Sequence, residues 1–198
     1  MKKILLAFIA VFLFATPLSA SSYVSGSVGV GFIGSYDATE FGVRIDDAAT
    51  FKVGVPIVGA FGTQFGQNRI EAAIGYQKND VDKVKVDLVH QIPVFGMDMS
   101  TMTYMVNAYH DFDLGTGISP YITAGTGVAT ITTSAYGLSE SSTVFTWQAG
   151  AGIGFKASSN LTVDLGYRYI RPSEVTDSFG GTATGSSNNF LAGLRYNF

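Results

Sequence analysis

The sequence predicts an all-β fold: a closed antiparallel up-and-down barrel of eight strands that crosses a membrane, preceded by a cleaved signal peptide. Three observations predict it. Apolar side chains recur at every second position along most of the chain, the period of a strand. Glycine supplies 24 of the 198 residues while charged residues supply only 14%, and each interior glycine costs a helix about 1 kcal/mol against alanine. The segments between the alternating runs are by turns short and long, as they are when successive strands run up and down.

Composition excludes several classes of function. A charged share well under the roughly 25% of an average soluble domain, with abundant apolar residues, is the inverse of a disordered chain. The absence of cysteine removes disulfide frameworks, thiolate zinc sites, iron–sulfur clusters and cysteine nucleophiles. A formal net charge of −3 argues against nucleic acid as a partner, because neutralising phosphates requires clustered Lys and Arg.

Residues 1–20 read as the signal peptide and 21–198 as the barrel domain. Lys2 and Lys3 form a positive start, Ile4 to Phe14 an unbroken apolar run, and Thr16-Pro17-Leu18-Ser19-Ala20 a breaker followed by small residues. Cleavage after Ala20 or after Ser21 fits. A retained anchor would need about 20 apolar residues to span the hydrocarbon as a helix, and this run is too short.

Strands are expected near 23–34, 51–65, 69–79, 101–112, 120–132, 143–156, 161–170 and 189–198. The clearest places Phe145, Trp147, Ala149, Ala151, Ile153 and Phe155 on one face and Thr146, Gln148, Gly150, Gly152 and Gly154 on the other. Leu161 to Tyr169 and Phe190 to Phe198 repeat the division. Short connections are expected at Gly66-Gln67-Asn68, Leu114 to Ser119 and Ser158-Ser159-Asn160. Long ones are expected near 35–50, 80–100, 133–142 and 171–188. In the second long connection Val84-Lys85-Val86-Asp87-Leu88 suggests a hairpin continuing above the membrane. Its apolar neighbours Val94, Phe95, Met97 and Met99 suit packing on other loops or contact with a partner. The fourth, Phe179 to Ser187, is rich in Gly, Ser and Thr and reads as mobile.

Two arrangements share this pattern. A soluble barrel would turn the apolar face inward, whereas a membrane barrel turns it toward lipid and lines its interior with the polar face. Faces crowded with glycine and poor in long charged side chains make a weak outer coat for a soluble protein. Inside eight strands the space is narrow, and glycine beside an occasional large residue fits it. Aromatic residues at strand ends suit the two lipid–water boundaries. The membrane arrangement follows. By the same alternation Arg69, Glu71, Asp111, Asp164, Arg168 and Arg195 point into the barrel, where a paired structural network is expected to fill it.

Several stretches resemble one family. Phe190 to Phe198 resembles the terminal strand of outer-membrane barrels, a final aromatic with apolar residues at alternate positions. Asn107-Ala108-Tyr109-His110-Asp111-Phe112, Ser119 to Ala129, Trp147 to Gly154 and Leu165-Gly166-Tyr167-Arg168-Tyr169 are similar to segments of the opacity-like, porin-like surface barrels. The resemblance covers essentially the whole mature chain. It implies that Tyr196 and Phe198 form the signal read by the outer-membrane barrel assembly machinery. It also implies a bacterial outer-membrane location, lipid neighbours, and long loops that serve as surface antigens or adhesins with a host-surface ligand.

No catalytic, cofactor or metal site is expected. Serine–histidine catalysis requires a histidine within reach of a serine. His110 falls on the lipid-facing register at the periplasmic end, and His90 lies in a long loop near Asp87 and Ser100 at an unremarkable spacing. Asp46-Asp47 and Asp80-Val81-Asp82 lack the glycine-anchored spacing of a calcium loop. The glycines from Gly26 to Gly34 lie in a strand pattern with no helix or Gly-Lys-Ser/Thr after them, so they are no phosphate loop. The reading is a monomeric, non-enzymatic surface barrel. Its alternatives are a narrow passive pore and, less favoured, a barrel enzyme acting on outer-leaflet lipid.

Overall fold

The computed structural model describes residues 20–34, 36–40, 43–85, 91–93, 96–176 and 182–198. The expected signal peptide, apart from Ala20, lies outside the described residues, as do Asp87, His90, Val94 and Phe95. Eight long strands form the barrel: β1 (Ser21–Ile33), β4 (Ile57–Phe65), β5 (Asn68–Lys85), β7 (Met97–Asp111), β8 (Ile118–Ala135), β9 (Leu138–Lys156), β10 (Leu161–Pro172) and β13 (Ser187–Asn197). Each pairs antiparallel with its neighbours in the ring, and the β1–β13 pairing closes it. Closure leaves no unpaired edge within the membrane, where an unbonded backbone group costs several kcal/mol.

The apolar face looks outward. Trp147, Leu165 and Leu194 are exposed on the barrel wall, whereas Gln148 and Arg195 are buried within it. Phe32, Tyr76, Tyr104, Phe145, Trp147, Tyr167 and Phe190 mark one end of the outward band, and Phe112, Phe155, Tyr196 and Phe198 mark the other. Neighbouring rings pack at tilted angles, as in Tyr167–Phe190 at 5.2 Å and Trp147–Tyr169 at 5.6 Å. Immediately beyond this band Lys78 and Asp98 pair at 3.1 Å. The hydrogen bond to Asp98 holds the lysine above its ordinary range.

The lower connections are short, as the spacing predicts, with Gly66 in the left-handed region (φ 60°) between β4 and β5. The upper side departs from expectation in three places. The connection near 133–142 is not a long loop: β8 and β9 continue to a two-residue turn, Tyr136-Gly137, with φ of 51° and 84°. Outward hydroxyl pairs line this extension, Thr130–Thr143 at 2.9 Å, Thr132–Ser141 at 2.8 Å and Ser134–Ser139 at 3.0 Å. With hydroxyls on its outer face and a mixture of Ile131, Thr133, Glu140 and Ser142 on its inner one, it carries no apolar alternation by which to recognise strands.

The segment 35–50 likewise holds two strands, β2 (Tyr36–Glu40) and β3 (Val43–Phe51), and β4 begins later than expected because Pro56 has no N–H to give the ladder. The third departure is in the fourth connection, where Phe179, Gly180 and Gly181 lie outside the described residues and β12 (Thr182–Thr184) forms a strand paired with β2. A short β11 (Val175–Thr176) pairs with β12. Of the hairpin expected over Val84 to Leu88, Val84 and Lys85 pair with β6 (Gln91–Pro93), which returns along the end of β5, while Val86, Asp87 and Leu88 lie outside the described residues.

Candidate functional site

The alternation of β5, β7, β10 and β13 brings six charges into one space. Arg69 and Glu71 lie two residues apart on β5, so both face the lumen, and Asp111 ends β7 beside them. Arg69 binds Asp111 through two parallel hydrogen bonds of 2.7 and 2.8 Å. Its guanidinium also lies over the Tyr109 ring at 4.2 Å and the Tyr121 ring at 5.2 Å. Arg195 of β13 binds Asp164 of β10 at 3.0 and 3.3 Å.

Glu71 is the hub between them. It accepts hydrogen bonds from the Tyr109 hydroxyl at 2.6 Å and from Tyr23 and Asn107 at 3.1 Å each. Arg168 stands 3.8 Å from its carboxylate and donates to Tyr109 at 2.9 Å. Gln148 donates to Asn107, extending the network to β9. The six charges are therefore three cations and three anions with partners in place, which is how buried ions avoid the cost of isolation. A residual void of about 30 Å³ remains among Ser25, Ser27, Arg69, Glu71, Asp164 and Arg168.

Sequence reasoning found the charges and missed the residues that bind them. Tyr23, Tyr109 and Tyr121 are lumenal and buried, yet tyrosine counts as apolar in an alternation and is easily assigned to the lipid side. The signal was the parity of Tyr109 with Asp111. Glycine makes room for these side chains: a Cβ on Gly125 would strike Asn107, and one on Gly166 would lie 2.5 Å from the Tyr121 hydroxyl.

Tyr196 and Phe198 close the chain on the outside of β13, their rings edge to face at 5.5 Å. His110 also faces outward, 2.9 Å from Asn68 and packed on Phe112. No cluster of His, Cys, Asp and Glu among the described residues has metal-binding geometry.

Residues 5–198 match the family model described as the outer membrane protein beta-barrel domain. The chain belongs to this family. It is accordingly a β-barrel protein of the bacterial outer membrane, and the inside-out polarity described above has its cause in that location. Outer membrane protein PagN of Salmonella typhimurium is 29% identical to this barrel over 194 residues, spanning 87% of this chain and 72% of PagN. Among solved structures, Neisserial surface protein A aligns with a TM-score of 0.62 at 18% identity, over 91% of this chain and 99% of that one. The outer membrane protease OmpT of Escherichia coli aligns at 0.55 and 10% identity, over 92% and 99%. At such identities these two structures share the fold of this family member and no more.

Proposed function

We propose that this barrel is a non-enzymatic, monomeric surface protein that acts through its extramembrane strands and loops, as an adhesin or in other contact with a host surface. Strand length carries the reading. A tilted strand crosses the bilayer in about 9–11 residues, whereas β5 and β8 have 18 and β9 has 19. The excess builds an ordered platform above the lipid, and rigid scaffolds presenting loops are where recognition concentrates. The lumen supports the same reading, since paired side chains occupy the interior that a pore would keep open. Its standing partners are then the outer-membrane lipids and, during insertion, the assembly machinery acting on Tyr196 and Phe198.

The test is adhesion to cultured animal cells by bacteria displaying the wild type or a shortened β8–β9 hairpin. Deleting residues 132–135 and 138–141 leaves the Tyr136-Gly137 turn directly above the Ile131–Ser142 pair. Loss of adhesion, with heat-dependent gel migration intact, is expected. Unchanged adhesion together with steady conductance of the wild type in planar bilayers would replace this reading with a pore. Release of fatty acid from outer-membrane lipid by purified protein would replace it with an enzyme.

A further inference from the structure

The upper lumen differs in character from the charged lower half. Near the outer mouth lies a cavity of about 70 Å³ whose walls include Ile33, Val58, Met99, Ile131, Ile170 and Pro172. An apolar cavity is unexpected inside a membrane barrel, whose interior is ordinarily polar or water-filled. Thr101, Thr103, Ser173 and Ser186 also line it, but the surface that faces the space is chiefly apolar, and Gln77, Ser187 and Asn189 are bonded among themselves and to Asn79. Gln77 donates to Asn79 at 2.8 Å and to Ser187 at 3.2 Å, and Ser187 donates to Asn189 at 2.8 Å. Asn79 in turn donates to the backbone carbonyls of Gly31 and Lys52. A water held against Ile33, Val58, Met99, Ile131 and Ile170 would find few of the two to four partners it requires, and apolar cavities stay dry and accept apolar guests.

Size narrows the guest. The volume is about half of the ~150 Å³ that accommodates benzene, which favours a narrow straight hydrocarbon end over a ring. The cavity reaches the rim at Ser173 and Ser186, where hydroxyls meet a polar head. We propose that the upper lumen is a binding site for the methyl end of an unbranched alkyl chain whose head group remains at that rim. The chain belongs either to an outer-leaflet lipid or to a free amphiphile.

The experiment uses the full barrel in lipid nanodiscs with labelled methionine methyls. Met99 lines the cavity, and Met102, on the same strand, faces the lipid. The Met99 methyl resonance is expected to shift saturably with 1-hexanol and not with cyclohexylmethanol, while Met102 shifts linearly with both. Ile131→Trp, which fills the cavity, is expected to abolish the saturable shift. Ile170→Phe provides a second blocked form, and gel migration checks that each is folded. A nuclear Overhauser contact from Met99 to lipid-chain methyls without added alcohol assigns the occupant to the bilayer. A contact appearing only with hexanol assigns it to a free amphiphile. Linear Met99 shifts with both alcohols and no contact to any chain methyl would overturn the proposal.

Discussion

Arg69 and Asp111 meet inside the barrel through two parallel hydrogen bonds of 2.7 and 2.8 Å, with both side chains almost wholly removed from solvent. Such a pair gives weak evidence of net stabilisation, because desolvating the ions offsets their attraction. Its breakage is another matter. Asp111→Ala strands a guanidinium in a low dielectric and is expected to cost about 3–5 kcal/mol. The double replacement Arg69→Met with Asp111→Leu removes both charges and is expected to cost much less. Urea unfolding in lipid vesicles measures both. Equal losses would mean that the pair matters only as packing volume.

Glycine and tyrosine are coupled across the lumen in the same way. A methyl group on Gly166 meets the Tyr121 hydroxyl at 2.5 Å, and its other neighbours lie at 3.6 Å or beyond. Gly166→Ala is therefore expected to destabilise by about 1–3 kcal/mol through overpacking. Tyr121→Phe removes the colliding oxygen, and the double variant is expected to recover most of the loss. A double-mutant cycle without coupling would place the collision elsewhere.

One strand tests which face meets lipid. Ala151 and Ser141 lie on the same outward face of β9, Ala151 midway between Phe145 and Phe155, and Ser141 on the extension beyond the aromatic band. Ala151→Arg is expected to cost about 2–4 kcal/mol, the penalty for a charge near the bilayer midplane, whereas Ser141→Arg is expected to fall near zero. Equal and small effects in vesicle unfolding would mean that Ala151 faces water.

The sequence made legible whatever the bilayer enforces. Lipid on one side and a crowded lumen on the other impose strict alternation, so the membrane portions of eight strands and the inward parity of Arg69, Glu71, Asp111, Asp164, Arg168 and Arg195 could be read directly. Beyond the lipid that constraint ends. Hydroxyls take the outer face of Thr130 to Thr143 and a mixture of Ile131, Thr133, Glu140 and Ser142 the inner one, so the β8–β9 hairpin looked like a loop. The lumenal tyrosines were lost for the opposite reason. A phenol is apolar enough for the lipid face and polar enough to bind Glu71, and period alone does not choose between them. The apolar upper cavity could not be read at all, since it depends on side chains from eight different strands converging at one level.

Phe198 separates assembly from stability. Its backbone N–H is bonded to the Ser22 carbonyl at 2.9 Å, so the ladder survives loss of the side chain. The ring lies 68% exposed on the outside, touching Tyr196 and filling no core. Phe198→Ala should thus shift the unfolding free energy of purified barrel by about 1 kcal/mol or less, as exposed substitutions do. In cells, a machinery that reads the terminal aromatic would release several-fold less folded protein. Pulse-chase labelling with unheated and heated gel migration gives the cellular rate, and refolding into vesicles gives the unaided one. A matched slowing in both would make Phe198 a structural residue of the lipid interface with no part in recognition.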